Sequence, residues 1–154
     1  MADAPETIFA DLHRAADAAC GARLFTVTVL DRARGLARRA YSSHPEAYPV
    51  SGTKPMLAND WSRTVVEAGR PFVANTTAEF AQYFADHALI NSLGCHAALN
   101  IPVADAGTVV GTVNILDAEG HFTPERVAAL TAIVARHRAG LVAAMAKVPL
   151  DPAQ

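Results

Sequence analysis

The sequence predicts an α+β domain, an antiparallel sheet with helices on its faces. Three observations point there. Two pairs of alternating apolar and polar segments are each joined by a tight turn. An amphipathic helix stands at either end of the chain. The connection between the strand pairs is long, irregular and rich in aromatic residues, and segments of that kind in compact domains usually carry function.

The first helix is marked by Asp3 as its expected cap, Pro5 in the first turn and Glu6 at the positive end of the dipole. Ile8, Phe9, Leu12, Ala15, Ala16 and Ala19 make one stripe, and Gly21 stops it. "RLFTVTVLD" then alternates, with Phe25, Val27 and Val29 on one face and Thr26, Thr28 and Leu30 on the other. "GLARRAYSS" is its less apolar hairpin partner across Asp31–Gly35. "HPEAYPVSGTKP" reads as loop. Asn59 or Asp60 caps a short helix, "WSRTVVEAG"; "RPFVANT" is extended; Thr76 or Thr77 caps "AEFAQYF"; "DHALINSLG" adds a further turn or two. Strands follow at about Cys95–Val103 and Thr108–Leu116, joined at "ADAG". Thr123 and Pro124 open one final helix with a stripe from Val127 through His137 to Met145, and "VPLDPAQ" is a frayed tail. One domain is expected over 1–154, with its core at about 5–145 and a tail at 146–154.

Charge and composition exclude several classes. The 154 residues are 51% hydrophobic and 18% charged, which is globular. A net charge of −2 with no basic run offers no footprint for nucleic acid. "RARGLARR" straddles the first hairpin and reads as a solvated tip. No apolar run approaches the ~20 residues that span a bilayer, and the acidic, amphipathic N-terminus is unlike a signal peptide. Cys20 and Cys95 form no CxxC pair and the histidines no zinc spacing. Free thiols in a reducing cytoplasm, with no metal or cofactor, are the expectation.

The two faces of the sheet differ. One is almost wholly apolar and suits docking of the terminal helices. The other carries Thr26, Thr28, Asn100, Thr112 and Asn114 among apolar neighbours, without Lys, Glu, Arg or Asp in the confidently read strands. Short hydroxyls and amides tolerate burial only when hydrogen-bonded, at ~1–3 kcal/mol each if left unpaired. That face is therefore expected to be covered, and to border a small-molecule cavity. The competing reading is that these groups satisfy one another or the covering loops.

The stretch "LGCHAALNIPVADAGTVVGTVNILDAEGHFTPERVAALTAIV" resembles the closing pattern of the GAF domain family. The resemblance covers about residues 5–145. It implies a sheet of about six strands, terminal helices on one side, and a ligand pocket roofed by the central helices and loops on the other. Family members are mostly sensory modules. They bind cyclic nucleotides, bilins, haem, nitrate, 2-oxoglutarate or other metabolites, and many dimerise through the terminal helices. The implied protein is a homodimeric module binding an unidentified metabolite and acting on a separate output protein. The apolar "HRAGLVAAMA", extending beyond the domain, supports such association. Some stand-alone members resemble free methionine-(R)-sulfoxide reductase, but the cysteines that activity needs in the central segment are missing here. No cysteine is placed for a bilin, and no cyclic-nucleotide signature is evident.

Candidate ligand-binding residues are Thr26, Thr28, Trp61, Tyr83, His87, His96, Asn100, Thr112 and Asn114. Trp61 and Tyr83 each join an apolar body to a polar tip, suited to a roof. His96 shares the parity of Asn100; His87 is placed to donate to an anionic ligand or to end a helix at the surface. An alternative is a small enzyme using His87 or His96 as acid or base, or Cys95 as nucleophile, although Cys95 reads first as a small buried apolar residue. A third reading is a purely structural dimerisation module.

Overall fold

The computed structural model describes residues 4–150. Asp3, the expected cap of the first helix, lies outside the described residues, as do residues 151–154. Helix α1 (Pro5–Cys20) keeps Pro and Glu6 in its first turn, and Gly21 closes it with φ 82° and an N–H bonded to the Asp17 carbonyl. Strands β1 (Leu24–Asp31), β2 (Leu36–Ser42) and β3 (Thr53–Pro55) follow. Helix α2 (Asp60–Ser62) widens into a π-helical turn over Arg63–Glu67. Then come β4 (Phe72–Ala74), α3 (Thr77–Phe80), α4 (His87–Ser92), β5 (Ala97–Asp105), β6 (Thr108–Asp117), α5 (Pro124–Arg136) and α6 (Arg138–Ala146).

The six strands form one antiparallel sheet in the order β3-β2-β1-β6-β5-β4. Its two long hairpins put β1 beside β6 at the centre, where the expected alternation is sharpest. Phe25, Val27, Leu99, Ile101, Val113 and Ile115 face one way and pack on Phe9, Leu12, Leu130 and Leu141 of the helices. Each large apolar side chain so buried contributes ~1.5–3 kcal/mol. Gly111 lies on this face because nothing larger fits. A Cβ there would stand 2.6 Å from Met145 Sδ and 2.6 Å from the Thr28 carbonyl. The opposite face packs Leu24, Ala98 and Leu116 under Tyr48, Phe80 and Ile90, and Leu30 and Val109 under Val66.

Four expectations are corrected. The segment read as loop over residues 44–55 contains β3, a three-residue edge strand paired to β2, where a proline is tolerated. Val109, which simple alternation in the sequence groups with Gly111, Val113 and Ile115 on the helix side, turns to the opposite face because a bulge shifts the β5–β6 register beside it. The final helix is two helices, bent by 63° at His137. There φ is −98° and ψ 5°, and the ring Nδ1 sits 2.8 Å from the Ile133 carbonyl. The bend turns α6 back onto the sheet and buries Leu141, Ala144 and Met145, so it does not extend beyond the domain. Finally, residues 148–150 are not frayed. Val148 and Leu150 pack against the core, and Arg38 donates to the Pro149 carbonyl at 2.6 Å and Arg34 to that of Leu150 at 2.7 Å.

Candidate ligand-binding site

Between the polar face of the sheet and the central segment lies a cavity of about 370 Å³. Thr26 and Thr28 from β1, Asn100 from β5, and Thr112 and Asn114 from β6 form its floor. Trp61, Val66, Tyr83, Phe84 and Ile90 form much of its roof, with Met56 and the exposed Leu57 beside them. Tyr83 is held edge-on to Phe72, ring centres 5.6 Å apart. Trp61 is positioned from below by a capping box. Asn59 Oδ1 accepts from the Ser62 N–H at 2.9 Å, and the Asn59 N–H donates to Ser62 Oγ at 3.0 Å.

The floor is wired in one direction. An indole N–H can only donate, so Trp61 Nε1 at 2.9 Å fixes the Asn100 Oδ1 end of that amide. Asn100 Nδ2 then donates to Asn114 Oδ1 at 2.8 Å. Asn114 Nδ2 in turn donates to the Thr26 and Thr28 hydroxyls, both at 3.1 Å. Part of the competing reading therefore holds: these groups do satisfy one another, and a cavity remains beside them.

Strand β2 adds groups that the alternation did not reveal. Ala40 is an extra residue opposite β1, since Val27 pairs with Tyr41 but Thr28 with Arg39. The bulge sends Tyr41 to the core, against Phe9 and Phe25, and Arg39 to the cavity. "RARGLARR" is thus no solvated tip at its last residue. The Arg39 guanidinium lies 3.7 Å above the centre of the Tyr48 ring and donates to the Pro49 carbonyl at 2.9 Å. It reaches Asp86 only at 3.5 Å. Burial pushes the Tyr48 phenol well above its usual range. The Arg39 charge opposes that rise, and the hydrogen bond to Asp86 adds to it. Tyr48, Lys54 and Asp86 also line the cavity.

Three sequence-nominated residues are seated elsewhere. His96 has the parity expected of it, but it precedes β5 and its Nδ1 lies 3.3 Å from Thr77 Oγ1 on α3. His87 turns back on its own chain, Nδ1 2.9 Å from the Phe84 carbonyl. Neither lines the cavity. Cys95 is fully buried among Leu24, Ala74 and Phe80. Burial, with the Asp117 carboxylate adding, pushes its thiol up to about 11, which removes the thiolate that a nucleophile needs at neutral pH. Among the described residues no group of three or more His, Cys, Asp or Glu side chains is arranged to hold a metal.

The family model that matches is the GAF domain, over residues 4–137. The chain belongs to the GAF domain family. Solved structures agree at low identity. A GAF domain/HD domain protein from Geobacter sulfurreducens superposes with TM-score 0.73 at 13% identity, covering 92% of this chain and 94% of that one. The GAF domain of a two-component sensor histidine kinase from Bacillus halodurans gives 0.71 at 11%, covering 89% and 92%. The blue-light absorbing form of the PixJ GAF domain from Thermosynechococcus elongatus gives 0.65 at 13%, covering 92% and 85%. Comparison with curated proteins finds no match. The likeness fixes the fold of this GAF domain.

Proposed function

We propose that this GAF domain is a sensory module that binds a small metabolite between its sheet and its central segment. The observation that carries the reading is the cavity of about 370 Å³ floored by Thr and Asn side chains and roofed by Trp61, Tyr83 and Phe84. A mostly apolar pocket with a few placed polar groups is how small-molecule sites are built. Much of its wall comes from short helices and loops, the elements a ligand can most readily order. The ligand's influence on them equals its differential affinity for the two roof states. A second polypeptide, a separate output protein, reads the change. Unpaired Cys20 and Cys95 suit a reducing compartment such as the cytoplasm.

Of the large exposed apolar side chains among the described residues, Val50, Leu57, Val73 and Leu89, none belongs to α1, α5 or α6. A purely structural dimerisation module would want an apolar seam there. No helix among the described residues is by itself long and apolar enough to cross a membrane. The acid–base enzyme reading loses His87 and His96 from the cavity.

A thermal-shift screen of metabolites tests the proposal. A ligand at 100 times its Kd adds ~2.7 kcal/mol, expected as a rise of roughly 5–10 °C at ~2–4 °C per kcal/mol for a chain of this size. If no metabolite raises Tm, the sensory reading is overturned.

A further inference from the structure

We infer that the ligand is a small monocarboxylate with an apolar body, its carboxylate held by Arg39 and the floor hydroxyls. The inference rests on the cavity being a ligand site and names the chemistry it selects. The cavity is biased toward donors. The floor hydrogen bonds run from Trp61 through Asn100 and Asn114 into the Thr26 and Thr28 oxygens. Those two hydroxyls accept at their oxygens and keep their protons to give. Thr112 is 1% exposed and adds a third hydroxyl to the floor. Asn59 spends its side-chain oxygen on the Ser62 N–H, which leaves its amide N–H groups for the cavity it lines.

Charge points the same way. Arg39 and Lys54 line the cavity against one acid, Asp86. One positive charge in excess matches a single carboxylate and falls short of a phosphate dianion. Arg39 is ready to make the exchange. Its 3.5 Å approach to Asp86 is far longer than the ~2.7–2.9 Å of a well-made charge-assisted bond, while stacking on Tyr48 holds the guanidinium in place. A planar guanidinium takes a carboxylate through two parallel N–H donors. The roof of Trp61, Val66, Phe84 and Ile90 fits the apolar remainder of the ligand.

The test uses the sole tryptophan, Trp61, whose emission reports occupancy of the cavity it lines. The full chain is titrated with benzoate, 3-phenylpropanoate and hexanoate, with their neutral amides, and with phenyl phosphate. At least one carboxylate is expected to give a saturable change and to bind at least tenfold more tightly than its amide. Arg39→Met is expected to weaken it by roughly 30-fold or more, the low end for removing one member of a buried charge pair. Asp86→Asn, which takes away the competing acid at a loop position, is expected to tighten it several-fold. That variant decides the matter should Arg39→Met fail to fold by circular dichroism. Equal binding of amide and acid, tighter binding of phenyl phosphate, an unchanged Kd in Arg39→Met, or weaker binding in Asp86→Asn each overturns the monocarboxylate while leaving the cavity a ligand site. Silence from every carboxylate also overturns it. A neutral hit in the thermal-shift screen would then show that the sensory reading survives, and an empty screen that both fail.

Discussion

Replacing Asn114 with Leu probes the floor where it branches. Asn114 is 8% exposed and Asn100 4%. Leucine matches the volume but removes the acceptor of the Asn100 amide and the donor to two threonines. The threonine hydroxyls can rotate toward water in the cavity; the buried Asn100 N–H groups cannot. One buried donor left unpaired costs ~1–3 kcal/mol, partly offset by the leucine's own burial. Asn114→Leu should therefore destabilise by about 2 kcal/mol, or roughly 4–8 °C in Tm. Asn100→Leu orphans both the Trp61 indole and Asn114 Oδ1. In the double variant only the indole is orphaned, so two orphaned groups are spared and the two substitutions together should cost ~2–6 kcal/mol less than the sum of the singles. Urea denaturation of the four proteins measures this coupling. Additivity within ~0.5 kcal/mol would refute the relay, because uncoupled sites add to that precision.

Other consequences are equally open to measurement. Gly111→Ala pushes a methyl against Met145 and the Thr28 backbone and should cost ~1–3 kcal/mol in urea. Gly140→Ala in α6 meets nothing within 4 Å and should gain ~0.5–1 kcal/mol. Asn59→Ala removes the cap under Trp61, costing ~1 kcal/mol and moving tryptophan emission to longer wavelength as the indole becomes wetter. The folded Cys95 thiol titrates at about 11 against an ordinary 9.0. Between those values the folded state keeps a proton that the unfolded chain releases, so stability must fall as pH rises from about 9 to about 11. Cys95→Ala should flatten that fall in urea denaturation; an unchanged slope would count against it.

The period-two alternation of β1, β5 and β6 made the contrast between faces legible, because β1 and β6 pair in one unbroken register and β5 pairs with β6 without a shift from Ala97 to Val103. Asn100, Asn114, Thr26, Thr28 and Thr112 were found that way. Arg39 was not, because it has the same parity as Tyr41 and only the bulge at Ala40 parts them. A bulge without glycine leaves no mark in the sequence. His96 kept its parity, but parity says nothing of distance along a strand, and that residue stands past the cavity's end. The bend at His137 was hidden for a related reason. Leu130, Ile133, Val134 and Leu141 continue one helical stripe across it, with no proline at the break. The closing pattern from Leu93 onward was the most readable part of the chain, and the family match confirms the fold it implied.

The most direct measurement of the central claim is a proton–nitrogen correlation spectrum of the labelled protein, titrated with a hit from either screen. Trp61 gives the chain's single indole resonance, and the Asn100 and Asn114 side-chain amides report the floor beneath it. Ligand in the cavity is expected to move all three saturably, together with backbone signals of the roof. If they stay still while signals elsewhere move, the ligand sits outside the cavity and the account is contradicted.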